Sequence, residues 1–136
     1  MTSNTRFSMA VHILTALAYL DKKASSEQLS ETVRTNPVVV RRILGDLNQA
    51  GLIRSDRGAT GGFLLARGAD KISLLDIYHA VMGEEKLVGL HDNPQNPACP
   101  VSCNVRGELS RHLQKAQTKF EQELAKVTLS DLEKAM

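Results

Sequence analysis

Apolar residues recur every three or four positions along most of the chain, which is the spacing of helices with one buried face. The first such stripe predicts a helix over about residues 5–20. A second helix begins at Ser25, which forms a capping box with the glutamine three positions on. A third begins at Asn36, an N-cap residue followed by Pro37 at the first helical position, and Gly51 ends it.

Two short apolar runs, Leu52–Ser55 and Phe63–Ala66, follow the third helix and flank a segment rich in glycine and arginine. Because glycines permit the positive φ angles of a tight connection, we expect these runs to pair as a β-hairpin. A further capping box at Ser73 predicts a fourth helix over Leu74–Met82, which Gly83 stops.

The last third of the chain contains a proline-rich loop and one long helix, from about residue 102 to 127, before a short helix capped by Thr128. The long helix has one narrow apolar stripe: Val105, Leu109, Leu113, Ala116, Phe120, Leu124 and Val127. A body of about 100 residues is too small to bury so long a stripe. Pairing with the same helix of a second copy is therefore expected.

Helix, turn, helix and hairpin in this order are typical of a winged helix-turn-helix domain. The expected fold class is mainly α with a small β-wing, extended by a long C-terminal dimerisation helix. We expect three parts: a DNA-binding domain over residues 1–83, a sensor loop rich in proline and cysteine over 84–103, and dimerisation helices over 104–136.

The net charge of +2 is unevenly distributed, because residues 1–70 carry nine Lys/Arg against six Asp/Glu, whereas residues 71–136 carry eight against nine. All basic residues between positions 34 and 67 are arginine: Arg34, Arg41, Arg42, Arg54, Arg57 and Arg67. Guanidinium groups suit phosphates and base edges, so double-stranded DNA is the expected partner. No membrane-spanning run or signal peptide is evident, and we expect a cytoplasmic protein without membrane contact.

DNA contacts are expected from the second and third helices and the wing. The candidate residues are Ser26, Asn36, Pro37, Val38, Arg41, Arg42, Arg57 and Thr60. A solvated helix face is the alternative for Arg41 and Arg42, and a flexible exposed tip is the alternative for Arg57. A helix-turn-helix module that binds only proteins would not need this basic excess.

The two cysteines, Cys99 and Cys103, have neither the spacing of a zinc knuckle nor that of a thioredoxin motif. A helix beginning just after Cys99 would favour its thiolate, which is the reactive form. Three interpretations of the two cysteines are open: they are redox-active thiols, inert thiols or ligands of a metal cluster. His12 fits a packed or hydrogen-bonded helix residue better than a ligand, and His91 is undecided. No catalytic constellation accompanies Cys99, so an enzyme is not expected.

The segment Ala50–Ser55, followed by Gly58-x-x-Gly61-Gly62-Phe63-x-Leu65-Ala66, resembles the wing of the Rrf2 family of bacterial winged-helix regulators. Residues 36–42 and 91–101 are similar to its YwnA-like branch and to its hypochlorite-sensing members. The family includes the iron–sulfur cluster regulator and a nitric-oxide sensor. The resemblance implies a homodimer that binds a near-palindromic operator, usually as a repressor.

Cluster-binding members generally place three cysteines in the loop, whereas this chain has two. Some relatives use two cysteines with a histidine and a glutamate of the first helix. His12 matches that histidine, but Ser8 stands where the glutamate would be. We therefore expect no cofactor and no metal ligand, and an iron–sulfur cluster-dependent regulator is the alternative function.

Overall fold

The computed structural model describes residues 4–59 and 61–136, and this part of the chain is mainly helical with one two-stranded antiparallel sheet. The elements are α1 (Arg6–Leu20), α2 (Ser26–Val33), α3 (Pro37–Gln49), β1 (Ile53–Asp56), β2 (Gly62–Leu65), α4 (Leu74–Met82), α5 (Pro100–Ala125) and α6 (Leu129–Glu133). A 3₁₀ turn, Ala69–Lys71, precedes α4. The predicted fold class and the order of its elements are confirmed.

Side-chain caps fix where the helices begin. Ser25 Oγ accepts from the backbone N–H of Gln28 at 3.1 Å, and Gln28 Oε1 accepts from the N–H of Ser25 at 2.8 Å. Asn36 caps α3, since its Oδ1 accepts from the N–H of Val38 at 2.8 Å. Capping boxes also begin α4, at Ser73, and α6, at Thr128. Each cap satisfies backbone donors that a helix start leaves free.

The core lies where α1, α2, α3 and α4 meet. The apolar stripes of α1 and α3 are buried in full: Ala10, Ile13, Leu14, Leu17, Val40, Ile43, Leu44 and Leu47. The C-terminal helix α6 returns to the same core, because Leu129 is completely buried and its N–H donates to Ile72 O at 2.8 Å. The chain end is thereby attached to the helix-turn-helix unit.

The hairpin pairs Ile53 with Leu65 and Asp56 with Gly62. The first strand therefore lies one residue later than predicted, and the second strand lies one residue earlier. Leu52 lies at the junction of α3 and β1: its N–H donates to Leu47 O, which closes the C-terminus of α3, and its carbonyl oxygen accepts from the N–H of Ala66. Glycine at position 62 permits a close approach: a Cβ there would lie 3.0 Å from the carbonyl oxygen of Ala24.

The long helix α5 begins at Pro100, two residues before the predicted start, with Cys99 as its N-cap. Proline fits the first helical position because its missing N–H would have no helical partner there. Cys103 consequently lies in the first turn of α5. No helix in the described part of the chain is long and apolar enough to span a membrane.

Candidate nucleic-acid interface

Helix α3 presents one face to the core and the opposite face to solvent. Arg41 and Arg42 are exposed, and Val38 is 53% exposed, whereas the neighbouring Val40 and Ile43 are buried. The outward face is therefore basic with one aliphatic side chain. Its geometry suits a helix that lies in the major groove of a duplex.

The remaining helix candidates lie at the N-termini of α2 and α3. Pro37 and Asn36 are exposed there, although the Oδ1 of Asn36 is already used in capping. Ser26 is half-buried in the first turn of α2, and its hydroxyl donates to Glu27 Oε2 at 3.3 Å. Backbone N–H groups at such helix starts are suitable partners for a phosphate.

Glu27 places a negative charge near this basic surface. Hydrogen bonds from its own backbone N–H and from the Ser26 hydroxyl lower the pKa of the Glu27 carboxyl, and the charge of Arg41 acts in the same direction. These effects favour the ionised carboxylate, so Glu27 adds a negative charge to this otherwise basic surface.

The other arginines of residues 34–67 are spread over several places. Arg57 is exposed at the wing tip and Arg54 is exposed on β1, while Thr60 lies outside the described residues. Arg34 is the C-cap of α2, in the turn before α3. Arg67 lies toward α4, where its Nη1 is 4.0 Å from Asp76 Oδ2, so it belongs to a different surface from the wing tip.

The wing is fastened to the segment between α1 and α2, a feature that the sequence did not indicate. Lys23 Nζ lies 2.7 Å from Asp56 Oδ2, and the backbones of Ala24 and Phe63 exchange two hydrogen bonds of 3.1 and 2.8 Å. The hydrogen bond and the charge of Lys23 hold the pKa of Asp56 below its usual value. Neither Lys23 nor Ala24 belongs to a motif that marks such a contact.

The two cysteines have different surroundings at the start of α5. Cys99 is half-buried, and its Sγ accepts from the N–H of Ser102 at 3.5 Å. Cys103 is exposed, and its Sγ donates to the carbonyl oxygen of Asn96 at 3.5 Å. Both thiols are free in this structure.

The loop before α5 is folded back onto the first two turns of that helix. Ser102 Oγ accepts from the N–H of Asn96 at 2.8 Å, and an Arg106 Nη donates to the carbonyl oxygen of Asn93 at 2.7 Å. With the Cys103 contact, three side chains of α5 hold residues 93–97. We call this set of contacts the loop clamp; its members follow no recognised sequence motif.

The beginning of the same loop is attached to α4 and α5. The Tyr78 hydroxyl donates to the carbonyl oxygen of Glu85 at 3.1 Å and accepts from Gln117 Nε2 at 3.5 Å. Gln117 Oε1 accepts from the N–H of Leu87 at 3.1 Å. Nearby, the hydrogen bond from His79 lowers the pKa of Glu121. Tyr78 is buried, and its ring packs edge-on against Phe120.

The described residues do not bring a metal-ligand set together, since no three His, Cys, Asp or Glu side chains of that part of the chain converge. His12 forms a hydrogen bond with Thr32 Oγ1 at 3.3 Å, as expected for a helix residue with a polar neighbour. The Ser8 hydroxyl donates to the carbonyl oxygen of Thr5. Two thiols without further convergent donors do not fit an iron centre within one chain.

Comparisons with known proteins agree with this geometry. A family model named Rrf2 and described as an iron-dependent transcriptional regulator matches residues 3–135. The chain is 41% identical to the HTH-type transcriptional regulator YwnA of Bacillus subtilis strain 168, over 95% of each chain.

Two solved structures extend the agreement to the three-dimensional fold. A protein described as DNA-binding has a TM-score of 0.76 and 35% identity, over 93% of this chain and 97% of its own. The oxidised form of CymR from Staphylococcus aureus has a TM-score of 0.69 and 25% identity, over 98% and 96%.

The fold, the basic face of α3 and these relatives define a DNA-binding transcription regulator rather than an enzyme. The chain belongs to the Rrf2 family.

Proposed function

We propose that the protein binds a near-palindromic operator as a homodimer and represses transcription in the cytoplasm. The outward face of α3, with the exposed Arg41 and Arg42, is the observation that supports DNA binding by this surface. Arg57 at the wing tip would reach a flanking minor groove or phosphate. Ser26, Asn36, Pro37, Val38 and Thr60 complete the proposed contact set.

The homodimer is supported by the distribution of apolar residues on α5. None of its 26 residues is buried. Phe120 near its C-terminus packs on Tyr78, whereas Val101, Val105 and Leu109 near its N-terminus are 66%, 48% and 46% exposed. A two-fold pair of α5 helices would cover this stripe and place two α3 helices on successive major grooves.

Redox control through the cysteines is a second proposal. Cys103 donates to the loop that it holds, and Cys99 begins the helix that carries the dimer stripe. Oxidation of Cys103, or a disulfide between Cys99 and Cys103, would remove the Cys103 contact of the loop clamp and thereby change the spacing of the two DNA-binding units. The relative CymR has been observed in an oxidised form. An iron–sulfur cluster-dependent regulator is the alternative, and visible absorbance after anaerobic purification would favour it.

Operator selection from random DNA, followed by binding measurements, tests the DNA-binding surface. Arg42→Ala should cost about 1–3 kcal/mol if the side chain reads a base. If it contacts only phosphate, binding should weaken evenly across sequences with a shallower salt dependence. Arg111→Ala, at an exposed arginine of α5, is the matched control. Undiminished binding by the Arg41/Arg42/Arg57 triple-alanine protein would contradict the proposal.

A further inference from the structure

An exposed valine lies in the first turn of α3, on the outward face of that helix. Val38 is 53% exposed on a helix whose other large apolar side chains are buried or half-buried. Each helical residue is rotated by about 100° from the one before. Arg41 and Arg42 therefore lie on either side of Val38, one turn further along. The helix thus presents an aliphatic side chain between two guanidinium groups.

Gly45 lies on the same face of α3 as Val38, about two helical turns further along the helix. A Cβ built on Gly45 would meet nothing within 4 Å, so packing inside the chain does not require glycine there. Glycine within a helix is unfavourable relative to alanine. The absence of a side chain at this position therefore suits a close approach by something outside the chain.

We propose that Val38 and Gly45 lie against base edges in the major groove, and that Val38 contacts the C5-methyl group of one thymine in each half-site. This inference rests on the proposed function, since α3 must enter the groove. The thymine methyl is the apolar feature of a major-groove base edge, and valine has no hydrogen-bonding group in its side chain. The flanking arginines supply attraction to guanine edges or phosphates, and Gly45 allows the helix to lie deep.

Replacement of single thymines by deoxyuridine tests the contact, because deoxyuridine lacks only the methyl group. In the selected operator, a replacement in one half-site should weaken binding about fourfold, as expected for one buried methyl group, and a replacement in both half-sites should weaken it about 15-fold. Val38→Ala should bind thymine and deoxyuridine equally at that position. Val88→Ala, at a valine that is 56% exposed in the loop before α5, should keep the wild-type difference.

Gly45→Ala provides a second measurement. The substitution should raise the melting temperature, because alanine favours the helix, and should weaken operator binding by at least about tenfold through a steric clash. Unchanged binding by Gly45→Ala would refute the close approach.

The outcomes separate this inference from the proposed function. If wild type binds its operator but no thymine is sensitive to deoxyuridine, or if Val38→Ala keeps the sensitivity, the thymine contact is refuted while DNA binding stands. If the Arg41/Arg42/Arg57 triple-alanine protein binds like wild type, α3 is not the reading helix and both are refuted.

Discussion

Lys23 Nζ and Asp56 Oδ2 lie 2.7 Å apart, which joins the segment before α2 to the first strand of the wing. The backbone hydrogen bonds between Ala24 and Phe63 join the same two segments. One ion pair and two backbone hydrogen bonds thus fix the orientation of the wing relative to the helix-turn-helix unit. An arginine at the wing tip can contact DNA reproducibly only if the hairpin is held in this way.

Asp56→Asn should loosen the wing locally. The amide hydrogens of Ala24 and Phe63 should exchange up to about fivefold faster, with little change in melting temperature, because the ion pair is exposed. Hydrogen exchange measured by NMR reports both effects. Asp92→Asn, at an exposed loop residue, is the charge-matched control. Equal exchange in both variants would show that the backbone bridge holds the wing by itself.

The same pair gives a pH dependence of definite sign. Since Lys23 lowers the pKa of Asp56 in the folded state, the pair's stabilising contribution is present above the usual aspartate pKa. It is lost as the pH falls through the lowered value. The difference in exchange between wild type and Asp56→Asn should therefore be constant near neutral pH and disappear in acid.

The sequence predicted the helices well because their boundaries depend on local chemistry. Ser25, Asn36, Ser73 and Thr128 act as caps in the structure, as the capping patterns indicated. The strands were displaced by one residue. Leu52 both completes the end of α3 through its N–H and pairs with Ala66 through its carbonyl oxygen. Where one residue serves two elements in this way, the boundary between them differs by a residue from the one that the sequence pattern indicates.

The candidate site was predicted less completely. An outward Arg41 and Arg42 follow from helical periodicity, because the apolar residues of α3 define the opposite face. In contrast, no periodicity of apolar or polar residues in the sequence predicts the loop clamp. Its contacts join Asn93 and Asn96 to residues up to thirteen positions away, across a loop whose path is set by prolines and packing.

Tyr78→Phe should destabilise the fold by about 0.5–1.5 kcal/mol. The change removes a buried hydroxyl that donates to the carbonyl oxygen of Glu85, with little change in volume. Tyr19→Phe is the control, because that tyrosine is 62% exposed. Chemical denaturation gives both free energies of unfolding. An equal, negligible effect in the two variants would show that the hydroxyl contributes nothing to attaching the loop.

Glutamate at both Val105 and Leu109 should prevent dimerisation. Four carboxylates would enter an apolar interface, and the dimer dissociation constant should rise by at least about 100-fold. These positions are preferable to Phe120, which packs on Tyr78 within the chain. Light scattering at micromolar concentration measures the mass. Val38→Glu should remain dimeric and lose DNA binding. A wild-type monomer under these conditions would contradict the dimer proposal.

The two thiols are expected to differ in their reaction with oxidant. Cys99 caps α5, where the Ser102 N–H points at its sulfur and a helix N-terminus stabilises negative charge. Attack of the Cys99 thiolate on hydrogen peroxide transfers one oxygen to sulfur and releases hydroxide, which leaves a sulfenic acid. A second thiol, from Cys103 or from another copy, then forms a disulfide and releases water.

The response should therefore require Cys99. Operator affinity of wild type should change severalfold after peroxide and recover with dithiothreitol, whereas Cys99→Ser should not respond. Cys103→Ser should still form the sulfenic acid, which a dimedone adduct detected by mass spectrometry reports. Cys103→Ala removes the donor to the carbonyl oxygen of Asn96, so it gives the effect of loosening the loop without oxidation. If both serine variants respond to peroxide like wild type, the cysteines are not the sensor, and the loop clamp has a structural role.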